Sequence, residues 1–197
     1  MPTIETDPEE ARQRLKAAGA TVESGNTPHE HWRASLGEAS AVAYDGKVVV
    51  QGARPVDILG VLQPVGGHGY LYFDGASRGN PGPAAIGWVL VTDAGIVDEG
   101  GERIGTATNN EAEYEALIRG LETASSLGFE TLDVRGDSEL IVKQIRGEYD
   151  VSAPHLKERR IRVHELLGDF NEWSIEAIPR GVNERADQLA NEALDAD

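Results

Sequence analysis

The chain has 197 residues, 40 % of them apolar, which suits one medium domain with a small appendage. The absence of cysteine excludes disulfides and thiolate metal sites, and no stretch approaches the roughly 20 apolar residues of a membrane span. Eighteen Lys and Arg, only four of them Lys, face 34 Asp and Glu for a net charge of −16, and this excludes a broadly basic nucleic-acid-binding surface.

Such acidity either serves solubility or marks adaptation to high intracellular salt, and the second reading is preferred. Repulsion is screened to about 3 Å at 1 M salt, so the charge does not veto a nucleic-acid substrate there. In chain order, the acidic start IETDPEEARQ is unlike a signal or transit peptide, so a cytoplasmic location is the default. Residues 7–18 predict an amphipathic helix with acids in its first turn and Gly19 beyond its end. ASAVAYDGKVVVQG (39–52) predicts a hairpin turning at Asp45-Gly46, and Pro55 to Leu62 a short helix. Residues 63–68 read as a linker between a small α+β domain (1–62) and a larger one (69–197). The first carries six Lys and Arg against nine Asp and Glu, the rest of the chain 12 against 25, so the acidity concentrates in the second part.

From Tyr70 onward three strands come first: YLYFDG, AIGWVLVTD and IVDEGGERIG. Asn109 or Asn110 is positioned to cap a helix running to about Leu127, with Tyr114, Leu117, Ile118, Leu121 and Ala124 at helical spacing. TLDVRGDS predicts a fourth strand, ELIVKQIRGEY a helix, HLKERRIRVHELLGDF another, WSIEAIPR a fifth strand and NERADQLANEALD a last helix. The fold class is therefore α/β, a five-stranded mixed sheet with helices on both faces.

Four carboxylates stand where carboxylates are uncommon. Alternation in YLYFDG puts Tyr70, Tyr72 and Asp74 on one face, with Asp74 ending the strand beside a turn rich in glycine. Asp137 likewise follows a strand, just past Gly136. Glu113 lies four residues before Leu117 and eight before Leu121, within the buried stripe of its helix, and Asp187 borders the stripe Ala186, Leu189, Ala190, Ala193, Leu194. Singly, each has an ordinary reading: turn residues for Asp74 and Asp137, a surface acid for Glu113, a first-turn acid for Asp187. Together they call for a neutralising cation, because an unpaired buried charge is costly. Oxygen ligands of this kind suit Mg²⁺.

Three blocks around these acids resemble the type 1 ribonuclease H family: FDGASRGNPGPAAIGWV, then TNNEAEYEALIRGL with GDSELIVKQIRGEY, then IPRGVNERADQLANEA. They come in the family's order and span nearly all of residues 69–197. The resemblance implies that Asp74, Glu113, Asp137 and Asp187 are catalytic metal ligands, holding two Mg²⁺ (or Mn²⁺) ions once substrate is bound. It implies an endonuclease that hydrolyses the RNA strand of an RNA–DNA hybrid and leaves 5′-phosphate and 3′-hydroxyl ends. The implied partner is the hybrid, bound by a monomer with no membrane and no small-molecule cofactor. A nuclease of the same fold acting on double-stranded RNA or RNA–DNA junctions is an alternative; a non-catalytic hybrid-binding protein is a weaker one, given four intact acids.

Residue by residue, Asn80, Asn109 and Asn110 match family positions that contact the hybrid's minor groove, and Thr108 matches the DNA-phosphate pocket. Glu139 stands where many members have glutamine, and Ala177 where many have a loop histidine. The loop offers Arg180 and Asn183 instead, and Arg180 is expected near the scissile phosphate, with a structural salt bridge as the competing reading. A basic protrusion used by some bacterial members is missing, and the cluster Lys157, Arg159, Arg160, Arg162 reads as a solvated helix face. Residues 1–62 resemble the TATA-binding-protein-like N-terminal domain of type 3 ribonucleases H, mainly through Tyr44, Gly46, Lys47, Gln51 and Gly52. That resemblance implies a candidate substrate-binding domain; a small appendage for protein contact or stability is the alternative.

Overall fold

Asp7 starts the first helix by accepting the amides of Glu9 and Glu10 at 2.9 Å, as a short acceptor at an N-cap does. The computed structural model describes residues 1–196 and divides into two units, residues 1–66 with 126–128, and the remainder. The first unit runs β1 (Thr3–Glu5), α1 (Pro8–Ala17), β2 (Thr21–Ser24), β3 (Trp32–Leu36), β4 (Ala39–Tyr44), β5 (Lys47–Gly52) and α2 (Val56–Leu62). Its antiparallel sheet has the order β1-β5-β4-β3-β2. Ala11 and Leu15 of α1 and Ile58 and Leu62 of α2 pack with Trp32, Ala41, Val48 and Val50, so both helices cover one face of that sheet. Across the strands, Thr21, Ser35, Ser40 and Gln51 form one paired row.

The 39–52 hairpin forms as its pattern predicts, with Gly46 at φ 70° in the turn. Strands β1 to β3 were not anticipated. They are only three to five residues long, and β2 (TVES) carries one apolar residue, so no alternation announces it.

The second unit contains β6 (His68–Ser77), β7 (Gly82–Thr92), β8 (Gly95–Ala107), α3 (Asn109–Ser126), β9 (Thr131–Gly136), α4 (Glu139–Ile145), α5 (Pro154–Leu167), β10 (Glu172–Ala177) and α6 (Glu184–Asp195). Sheet order is β10-β9-β6-β7-β8, with β6, β9 and β10 mutually parallel and the β6–β7–β8 meander antiparallel. This is the five-stranded mixed sheet that the pattern of elements predicts. Leu71 of β6 packs against Gly120 of α3, whereas Gly87, paired with Asp74, lies under Ala186 and Ala190 of α6. Helices thus cover both faces.

Several ends differ from expectation. Helix α4 stops at Ile145 rather than continuing through Tyr149, because Gly147 turns the chain at φ 75°. Strand β10 ends at Ala177; Pro179 offers no amide to a ladder, and Arg180–Val182 form a 3₁₀ turn instead. Helix α3 is capped not by an asparagine but by Thr108. Its backbone and hydroxyl both donate to Glu111 Oε2 at 2.8 Å, and its Oγ1 accepts the Glu111 amide at 3.2 Å. The sequence T-x-x-E is a capping box.

Candidate active site

Strand β6 carries Asp74 into the molecule and ends only at Ser77, so this acid stands within the strand and not at its end. It is 6 % exposed. On one side, Gly75 lets α3 approach: a Cβ there would lie 2.3 Å from the Ala112 carbonyl carbon and the Glu113 nitrogen. On the other side, α6 rests on Gly87, where a Cβ would meet the Ala186 carbonyl at 2.2 Å. Two missing side chains therefore bring Glu113 and Asp187 towards Asp74. Asp137 arrives from the parallel neighbour β9, in the step before Ser138 caps α4.

One carboxylate oxygen each from Asp74, Glu113 and Asp137 lie within 4.8 Å of one another. Asp187 lines the same cleft, about 550 Å³ in volume, together with Gly75, Ser77, Asn109, Ser138, Arg180 and Asn191. Its Oδ1 accepts from Arg180 Nη2 at 2.8 Å. Glu113 is buried and its Oε2 has no hydrogen-bond partner.

The electrostatics follow from this crowding. Burial pushes the Asp74 carboxyl up to about 8, aided by the charges of Asp137 and Asp187 and by a hydrogen bond to Asp137, while Arg180 pulls the other way. Glu113 is raised well above the ordinary range, first by burial, then by Asp74 and Asp137; the Gly75 amide, donating to it, opposes. Carboxylates that cannot all ionise together without a counter-charge, with one orphaned oxygen among them, are a hard-oxygen donor set fitted to a divalent cation.

The flanking residues separate into two groups. Asn80 is exposed and its Oδ1 accepts the Asn109 amide at 3.2 Å; Asn109 borders the cleft and Asn110 is half-buried beside it. Thr108 is half-buried, its hydroxyl occupied by the capping box. Arg180 is exposed at the rim, so both readings of it meet in one contact: it forms the Asp187 pair and it faces the acidic cleft. Glu139 points away into an ion pair with Lys143 at 2.6 Å.

Asn183 corrects the expectation of a substrate contact. It is 1 % exposed, and its Nδ2 donates to the Phe73 carbonyl at 2.9 Å, inside the unit. The signal was present in the sequence, since Asn183 falls on the Ala186–Ala190 stripe of α6. The basic cluster on α5 is not a uniformly solvated face either. Arg159 binds Glu115 at 2.8 Å and Arg162 binds Glu122 at 3.2 Å, both across to α3, whereas Lys157 and Arg160 border a groove with Val151 and Ile161. No helix among the described residues is long and apolar enough to cross a membrane.

Comparison with known proteins gives consistent results. The family described as "Reverse transcriptase-like" matches residues 72–193. Ribonuclease HI of Halobacterium salinarum is 57 % identical over 197 residues, covering 99 % of each chain. The crystal structure of RNase H1 from the same halophilic archaeon superposes with a TM-score of 0.64 at 59 % identity, covering 65 % of this chain and 98 % of that one. LC11-RNase H1, solved in complex with an RNA/DNA hybrid, superposes with a TM-score of 0.61 at 42 % identity over 64 % of this chain and 96 % of its own.

Proposed function

The chain belongs to the type 1 ribonuclease H family, and from that premise we propose that it is a metal-dependent endonuclease hydrolysing the RNA strand of RNA–DNA hybrids. The observation that carries the reading is the convergence of Asp74, Glu113 and Asp137 within 4.8 Å, on three separate elements, around a buried oxygen without a partner. Asp187, on α6 and lining the same cleft, is assigned as the fourth ligand. The four would hold two Mg²⁺ or Mn²⁺ ions. Such a pair, when bound, would supply an activated water and stabilise the leaving 3′ oxygen.

The chain's own residues do the rest. Asp74, reached from both faces of the sheet, fixes the centre to which the other acids are referred. Arg180 is the only cation lining the cleft among the described residues, and its guanidinium is positioned to exchange Asp187 for a phosphate oxygen. Asn80 and Asn109, linked through the Asn109 amide, present carboxamides at the rim for the sugar edges of the hybrid, with Asn110 beside them and Thr108 at the neighbouring phosphate. Removing a 2′-hydroxyl from the cut strand removes an atom such contacts read. The protein acts as a monomer in the cytoplasm and needs no small-molecule cofactor.

The first unit is the second grip on hybrid. Its β-α-β-β-β-β-α order sets both helices against one sheet face, and the other face carries the uncharged row Thr21, Ser35, Ser40, Gln51.

A direct test offers the purified protein three end-labelled substrates in high salt with Mg²⁺ or Mn²⁺: an RNA–DNA hybrid, double-stranded RNA and an RNA–DNA junction. Cutting of the RNA strand of the hybrid alone, leaving 5′-phosphate ends, is expected. Equal rates on double-stranded RNA would replace this reading with that of a broader nuclease.

A further inference from the structure

Four carboxylates hold the proposed metals, yet the residue joined to two of their segments is neutral. We propose that Asn183 is a positioning residue that sets the spacing between Asp74 and Asp187, an inference that rests on the metal-binding reading above. Its side-chain Nδ2 donates at 2.9 Å to the carbonyl of Phe73, the residue immediately before Asp74. Its own carbonyl accepts the amide of Asp187 at 3.1 Å. Its amide closes the 3₁₀ turn on the Arg180 carbonyl at 3.0 Å. The side chain and backbone of this one residue thus connect β6, the start of α6 and the loop that carries Arg180.

The geometry divides the work of placing α6. Contact of Ala186 with Gly87 limits how closely the helix approaches the sheet. Such a contact leaves the helix free to slide and roll, because a carbonyl above a glycine is a seat and not a latch. The directional bond from Asn183 to Phe73 removes that freedom, and it acts on the backbone one residue from the acid it positions. Asn183 pays for this with a buried Oδ1 that has no partner. An apolar residue of similar size would spare that acceptor but would leave the Phe73 carbonyl without this donor, so the side chain suits a tie rather than packing alone. Partners that orient metal ligands without touching the metal behave in this way, and their loss lowers metal affinity by about 10–100-fold.

The test is Mn²⁺ titration of the full chain by calorimetry in molar salt, without nucleic acid, alongside thermal melting. Asn183→Ala is expected to weaken Mn²⁺ binding by about tenfold or more, and to raise the Mg²⁺ needed for half-maximal cleavage by a similar factor, with the KM for hybrid at saturating metal little changed. Asn183→Asp keeps the size but turns an acceptor towards the Phe73 carbonyl. An added charge alone would tighten Mn²⁺, whereas loss of the latch weakens it. Val163→Ala, buried on α5, lowers the melting temperature without moving Mn²⁺ affinity. The proposal is overturned if Asn183→Ala binds Mn²⁺ within twofold of wild type, if Asn183→Asp binds it more tightly, or if Val163→Ala weakens it equally. Asp74→Asn in the same titration separates the two levels. Unchanged Mn²⁺ binding there sinks the metal site itself; lost binding there with normal binding in Asn183→Ala sinks only the positioning role.

Discussion

Burial sets Asp74 and Glu113 against their own ionisation, and this gives the metal-free protein a characteristic pH response. Asp74 takes up its proton near pH 8 in the folded chain but near the ordinary aspartate value of 3.8 when unfolded. Over that window the folded state binds more protons, so stability falls as pH rises. Without divalent metal, the contribution of this site should lower the melting temperature between about pH 5 and pH 8, and saturating Mg²⁺ should restore more of it at the upper end, because the ion replaces the proton. Calorimetry in chelator and in Mg²⁺ reads this directly; a Mg²⁺ effect that is largest at the acid end contradicts it. Arg180 offers a second residue-scale prediction. Its pair with Asp187 is 78 % and 28 % exposed on the two sides, so Arg180→Ala should change stability by less than about 1 kcal/mol. It should nonetheless cut the single-turnover rate by about tenfold or more, as loss of a donor at a developing phosphate charge does. Glu113 stands out in the sequence as an acid inside a buried stripe, and Asp74, Asp137 and Asp187 as acids at the ends or edges of patterned elements; the structure brings these four to one cleft. Asn183 carries a weaker signal: it falls on the Ala186–Ala190 stripe, but an amide before a helix reads equally as cap, tie or ligand.

Helices α3, α4 and α6 carry three of the acids or the turns beside them, so their mutual placement is the element-scale determinant of the site. Tyr114, adjacent to Glu113, donates its buried hydroxyl to Gln144 Oε1 of α4 at 2.9 Å. Tyr114→Phe leaves that acceptor buried without its donor and should cost about 1–3 kcal/mol, measured by denaturant unfolding. Gly87→Ala should do more damage to catalysis than to secondary structure. Its Cβ displaces the Ala186 backbone and with it Asp187, so normal helicity with strongly reduced cleavage is the expected pair of results in circular dichroism and activity assays. Long, strongly patterned elements such as β6, β7 and α3 were legible from alternation and periodicity. Short edge strands such as β1 and β2 were not, since their places are set by pairing with β5 and β3 rather than by their own residues. The capping box at Thr108 and Glu111 is readable as T-x-x-E, but the asparagines that follow Thr108 are equally ordinary caps and mask it.

Across the whole molecule, a charge of −16 and the ion pairs between α3 and α5 pull in opposite directions as salt rises. Screening relieves general repulsion while weakening exposed pairs individually worth little, so the melting temperature should climb as KCl increases from about 0.1 M to molar levels. The 57 % identical ribonuclease HI comes from a salt-adapted archaeon, in keeping with the acidity. Deleting residues 1–66 should leave catalysis intact but weaken hybrid affinity several-fold in a titration with catalytically inactive protein; unchanged affinity would leave the first unit without a role in substrate binding. The most direct measurement of the central claim is hybrid binding and single-turnover cleavage by Asp74→Asn in saturating Mg²⁺. The account predicts that the variant still binds hybrid but loses cleavage by several orders of magnitude. Cleavage within tenfold of wild type would contradict it, because the acid at the centre of the cluster would then not hold the metal.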